Sequence, residues 1–172
     1  MDIRLGANPA VTAISLSGAG LSAKGNISLA KSGGLDVLEV DSLKVGDWLD
    51  VRAALVGQGA GRAPQVVVRG GRLDLRRAQF GSGGGSSSTA ASGPPAPPMR
   101  VRLDRLQITE AIWLQGVAGT FKTTGGIDGP FEARMNGGTG VSGRVVPQRG
   151  RTAVRLSSVD AGGVLRSAGL FK

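Results

Sequence analysis

The sequence predicts an all-β protein: an antiparallel, twisted and curled open sheet, groove-like on one side, that ends in a short helix. Three observations carry this expectation. Short runs alternate apolar and polar residues at period two, the pattern of strands with one solvated face. Turn signals rich in glycine separate those runs, and glycine supplies 30 of the 172 residues. Helical periodicity is nearly absent until the last dozen residues.

The elements follow in order. Runs over 10–17, 21–30, 35–45 and 48–57 read as strands. Next, Val66, Val68, Leu73 and Leu75 alternate with Arg69, Arg72, Asp74 and Arg76, and the parity slips at Gly70-Gly71. A glycine pair at such a slip predicts a bulge or bend. Residues 81–98 contain only Gly, Ser, Thr, Ala and Pro. They bury too little to offset their ordering entropy and read as a flexible linker with a stiff proline end. This linker divides the chain into a β segment over 1–80 and another over 99–172. The second opens with Met99, Val101 and Leu103 alternating against Arg100, Arg102 and Asp104, and its phase slips to Leu106 and Ile108. Strands over 110–122, 130–136, 140–147 and 151–159 follow. Asp160 is then placed to cap a helix carrying Val164, Leu165, Ala168 and Phe171 at helical spacing.

Composition removes many functions. With no Cys and no His, the chain lacks thiolate nucleophiles, the usual general base and the commonest metal ligands. The densest carboxylates, Asp36, Glu39, Asp41, Asp47 and Asp50, alternate with Val37, Leu38, Val40 and Leu43. That is the pattern of a solvated strand face, whereas a hard-metal site needs convergent oxygens. Gly57-Gln-Gly59-Ala-Gly61-Arg62 precedes Pro64 and a valine strand, so it lacks the helix that a phosphate-cradling loop must open. No enzymatic site, metal or cofactor is assigned.

The net charge is +9, from 21 basic and 12 acidic side chains, and 16 of the basic ones are arginine. Such a balance suits a polyanion or anionic lipid, and it also suits solvated strand faces in an Arg- and Ala-rich chain. Aromatic residues make up 3% and are scattered, which argues against nucleic acid as partner. The best basic cluster, Arg144, Arg149, Arg151 and Arg155, is interleaved with Val145, Val154 and Leu156. No stretch approaches a membrane span, and the first twenty residues are not a secretory signal. Either a cytosolic protein or a piece of a longer chain is expected, and the second is favoured.

Several segments resemble the AsmA-like family of bacterial envelope proteins. They are Val68-Arg-Gly-Gly-Arg-Leu-Asp-Leu-Arg, Met99-Arg-Val-Arg-Leu-Asp-Arg-Leu, Leu114-Gln-Gly-Val-Ala-Gly-Thr-Phe, Gly143-Arg-Val-Val-Pro and, most specifically, Asp160 to Phe171. The likeness covers residues 35–80 and 99–172. It implies a periplasmic protein tethered to the inner membrane by an anchor outside this chain. It further implies phospholipid acyl chains as partners, shielded in an apolar β groove during transport between membranes and envelope assembly. The side chains expected on that groove are Val66, Val68, Leu73, Leu75, Val101, Leu103, Ile112, Trp113, Leu114, Val154 and Leu156. For Trp113 a second reading stands beside it, as the largest core side chain of the second half. Burying an acyl CH2 against such residues is worth about 0.8 kcal/mol. Exposed sheet edges make edge-to-edge self-association a further expectation. An alternative for the whole chain is a structural β-solenoid or adhesin-like passenger segment, and a third is a polyanion-binding module.

Overall fold

A computed structural model of the chain describes residues 3–4, 10–77, 97–124, 126–148 and 151–167. It is one open sheet of eleven strands in sequence order. The strands are β1 (Ile3–Arg4), β2 (Ala10–Gly18), β3 (Leu21–Leu29), β4 (Leu35–Val45), β5 (Leu49–Val56), β6 (Gln65–Asp74), β7 (Met99–Gln107), β8 (Trp113–Phe121), β9 (Gly129–Met135), β10 (Gly140–Gln148) and β11 (Arg151–Ser157). Helix α1 (Ala161–Ser167) follows. The all-β, open-sheet expectation with a short C-terminal helix is met, and strand bounds agree to within a few residues. Most of the 81–98 linker lies outside the described residues, as do Ala168 and Phe171.

One pairing departs from the antiparallel expectation. β6 and β7 run parallel, with Val68 beside Val101 and Leu73 beside Leu106. The reason is the linker. A tight turn forces an antiparallel hairpin, whereas parallel neighbours need a dozen or more residues to return the chain to the same end. Residues 75–98 supply that length. The two β segments are thus halves of one sheet, joined at this seam.

Across the described side chains of β2–β11 most apolar residues share one face, and in β2–β8 they do so despite parity slips midway. Register shifts at Val11/Ile14, Lys24/Gly25, Val40/Leu43, Arg52/Ala53 and Gln115/Ala118 fall in a line across the sheet, and one more, at Ser28/Leu29, lies near the end of β3. The slips read from the sequence in β6 and β7 lie on the same line. A bulge adds one residue and restores parity, so Leu43, Leu73, Leu106 and Leu114 return to the face that Val40, Val68, Leu103 and Val117 occupy. Without it, half of each strand would present its leucines on the polar side. Two glycines make the line possible. Gly116 has φ +61°, and Gly71 has φ +117° with space for a Cβ only 2.1 Å from the Asp50 carbonyl oxygen. The amide that Gly71 turns out of the ladder donates to Asp104 Oδ2 at 2.8 Å.

Bulges also increase twist and bend, and the sheet curls with its apolar face inward. The packed core lies in the second half: Leu103, Leu114, Val117, Phe121, Phe131, Ala133, Met135 and Val141, with Val51 from the first. Phe131 lies between Gly119 and Gly143 of the flanking strands. A Cβ on Gly143 would come 2.4 Å from its ring. Here the missing side chains make room for an aromatic that fills the curl. At the end of the sheet, Asp160 Oδ1 accepts from the Gly163 amide at 2.7 Å, capping α1 as expected. Val164 of α1 packs against the core.

Candidate functional site

The apolar face changes character across the sheet. Over β7–β10 it is closed by its own side chains, and Leu114 is fully buried. Over β2–β4 none of the described side chains that face it is buried; Ala23, Ile27, Leu38, Val40 and Leu43 are half-buried and Leu16 is 59% exposed. At the opposite edge Val154 is 51% and Leu156 43% exposed. A single aliphatic surface therefore runs from β2 to β11, packed in the middle and uncovered toward both ends.

Most of the expected groove residues share this face. Val68, Leu73, Val101 and Ile112 pack partly buried against the core, while Leu103 and Leu114 belong to it. Val66 pairs with Leu55 on the same side, and Leu75 is half-buried just beyond β6. Val154 and Leu156 reach the face opposite Val145 and Gly143. Two corrections follow. Leu103 and Leu114 are core residues with almost no accessible surface, because the large side chains of neighbouring strands pack around them. Trp113 lies on the other face altogether. Its Cα partner is Gln107, one position out of phase with Leu106 and Leu114, and the Arg105 guanidinium stacks 4.3 Å from its ring centre. Neither reading of Trp113, core or groove, describes that position.

Of the two open ends, the residues expected from sequence include Val154 and Leu156 but none on β2–β4. Ile27, Leu38, Val40 and Leu43 form cross-strand neighbours on the face, Ile27 beside Leu38 and Ala23 beside Leu43. Their alternation is visible in the sequence. The bulge between Val40 and Leu43 is not, since no glycine marks it.

The outer face is polar and organised by ion pairs. Lys44 Nζ lies 3.5 Å from Asp50, Arg69 Nη1 2.8 Å from Glu39, and Arg144 bonds Asp128 at 2.9 Å. Most of the dense carboxylate run is accounted for in this way: Glu39 and Asp50 as above, Asp47 by Arg77, and Asp36 by the Ser28 hydroxyl. At the strand ends, Ala19, Gly20, Trp48, Arg76 and Arg77 line a shallow open hollow of about 550 Å³. There Arg76 donates from Nε and Nη2 to Asp74, at 2.9 and 2.6 Å. This bonding holds the Asp74 carboxyl below its usual range and raises Arg76 above its own.

The described residues hold no group of three or more Asp or Glu side chains placed to bind a metal. No described helix is long and apolar enough to cross a membrane. Comparison with family models, curated proteins and solved structures finds no match.

Proposed function

We propose that the chain shields the acyl chains of phospholipids along its apolar face, as a segment of a periplasmic, inner-membrane-tethered conduit of the AsmA-like kind. The observation that carries this reading is the uncovered aliphatic surface over β2–β4, continuous with the packed face beyond it. Its lining is Ile, Leu, Val and Ala, without a polar anchor. Such a surface offers transfer energy proportional to area and no fixed docking point, which suits chains that slide. A sheet of strands in sequence order, antiparallel except at the β6–β7 seam, also favours a groove over the solenoid alternative, whose coils stack in parallel throughout.

The test reads bound lipid. Phospholipid is expected to co-purify with the chain expressed in a bacterial periplasm and extracted without detergent, as quantified by mass spectrometry. Ile27→Asp with Leu38→Asp, a cross-strand pair in the open stretch, should remove most of it while circular dichroism stays unchanged. Asp at Leu103 would instead unfold the core and decide nothing. A lipid-free, well-folded wild type, or an unchanged lipid load in the double variant, overturns the proposal.

A further inference from the structure

The outer face carries an arrangement that the groove does not use. At one level of the sheet, Arg72 of β6 lies directly beside Arg105 of β7; Arg105 pairs with Gln115 of β8, and Gln115 with Arg134 of β9. One level along, Arg100 and Arg102 of β7 project from the same face, opposite Thr120 and Ala118. All five arginines are exposed. None forms an ion pair among the described residues; Asp104 and Glu132 lie among them, while Asp50, the cross-strand partner of Arg72, is paired with Lys44, and Asp74, near Arg105, is paired with Arg76. Elsewhere on this face Lys44 is paired with Asp50, Arg69 with Glu39 and Arg144 with Asp128, while Lys24, Arg52 and Arg155 stand singly on separate strands without an ion pair among the described residues. Like charges directly opposite across a ladder are destabilising. Arg105 is held by Gln107 Oε1 and the Trp113 ring, neither of which neutralises its charge, so an external anion would offset the remaining repulsion between Arg72 and Arg105.

We propose that the outer face of β6–β9 docks on the surface of an anionic lipid bilayer. The geometry favours a bilayer over a nucleic acid. Strands are spaced about 4.8 Å apart, so the arginines form a two-dimensional array about three strand spacings wide, matched to a planar field of phosphates. Among the described residues no open aromatic platform for bases stands on this array: the ring of Trp113, beside it, is already covered by Arg105. An apolar side chain stands ready at the same end of the strands as Arg72, Arg105 and Arg134. Val159, between β11 and α1, is fully exposed and can enter the headgroup region, as an aliphatic residue beside bases does at a membrane surface.

The experiment is co-sedimentation of the full chain with vesicles of phosphatidylcholine alone or with about one-third phosphatidylglycerol. Binding is expected only to the anionic vesicles and is expected to fall with added salt. Neutralising Arg72, Arg100 and Arg134 together to Gln should weaken partitioning about a hundredfold, from about 1 kcal/mol per basic residue near such a surface. The same three changed to Lys should retain most of it. Ile27→Asp with Leu38→Asp should leave it intact, which separates this surface from the groove. Equal binding to neutral vesicles, an unaffected Gln variant, or tighter binding to a single-stranded oligonucleotide than to the anionic vesicles overturns the proposal.

Discussion

Asn136 shows how one side chain fixes a loop. Its φ is +50°, a conformation that costs most L residues. It is held there by its own bonds: Oδ1 accepts from the Trp113 amide and Nδ2 donates to the Ala111 carbonyl, both at 2.9 Å. The side chain therefore ties the β9–β10 turn to the β7–β8 loop. Asn136→Gly keeps the backbone but drops both bonds, and we expect a loss of about 1 kcal/mol in urea unfolding. Asn136→Ala adds the backbone penalty and should cost about 2–3 kcal/mol. Equal losses in the two variants would show that the conformation itself carries no cost. Nothing in the sequence around Asn136-Gly137-Gly138 distinguishes this clamp from an ordinary turn, because its partners, Ala111 and Trp113, are more than twenty positions away.

At the scale of the element, the strands were legible because each has a face to bury and another to solvate. β9 is the clearest case, with Gly129, Phe131, Ala133 and Met135 buried and the residues between them exposed. The parity slips in β6 and β7 could also be read, the first from its glycine pair. What could not be read was where that face closes. Leu103 and Leu114 look like Leu38 and Leu43 in sequence, and only the neighbours that the sheet brings beside them, Phe121, Phe131 and Met135 among them, separate core from open surface. Trp113 was misplaced for a related reason: its neighbours Ile112 and Leu114 made the whole segment look apolar. The bulge line supplies the element-scale prediction. Gly71→Ala would force a Cβ against the Asp50 carbonyl oxygen, so the strand must shift register or unpair. Stability should fall by about 3 kcal/mol or more. Hydrogen exchange should show the loss concentrated in β5 and β6. Exchange that rises uniformly across the sheet would mean that the bulge does not act locally.

At the scale of the molecule, the linker composition predicted a break and the sheet runs through it. Composition reports what a segment can bury, not what its two ends pair with. The seam sets a length requirement that can be tested. Asp74 pairs with Gln107, eight positions beyond Met99, so the connection must travel about 26 Å back along the strands. The 24 residues available, 75–98, reach roughly 80 Å when extended. Deleting residues 83–92 should therefore leave the melting curve nearly unchanged, with a stability change of about 0.5 kcal/mol or less. Deleting 79–96 leaves too short a chain, and the halves should then melt separately. A single cooperative transition in that variant would show that the seam is not needed to hold the two halves together.

The same seam has a consequence in time. Every other strand pairs with a neighbour that follows it after a short turn and can zip up as it is made. β6 cannot complete its outer edge until β7 arrives, with partners 33 positions later. At ribosomal rates of about 5–20 residues per second, that edge waits roughly 2–7 s. During that interval Val66, Val67 and Val68 stand on a strand with one edge unpaired, the kind of template that recruits other chains. The interval lengthens with every residue added to the connection. A linker that equilibrium stability scarcely notices is therefore, during synthesis, the interval in which the growing chain is most open to pairing with the wrong partner.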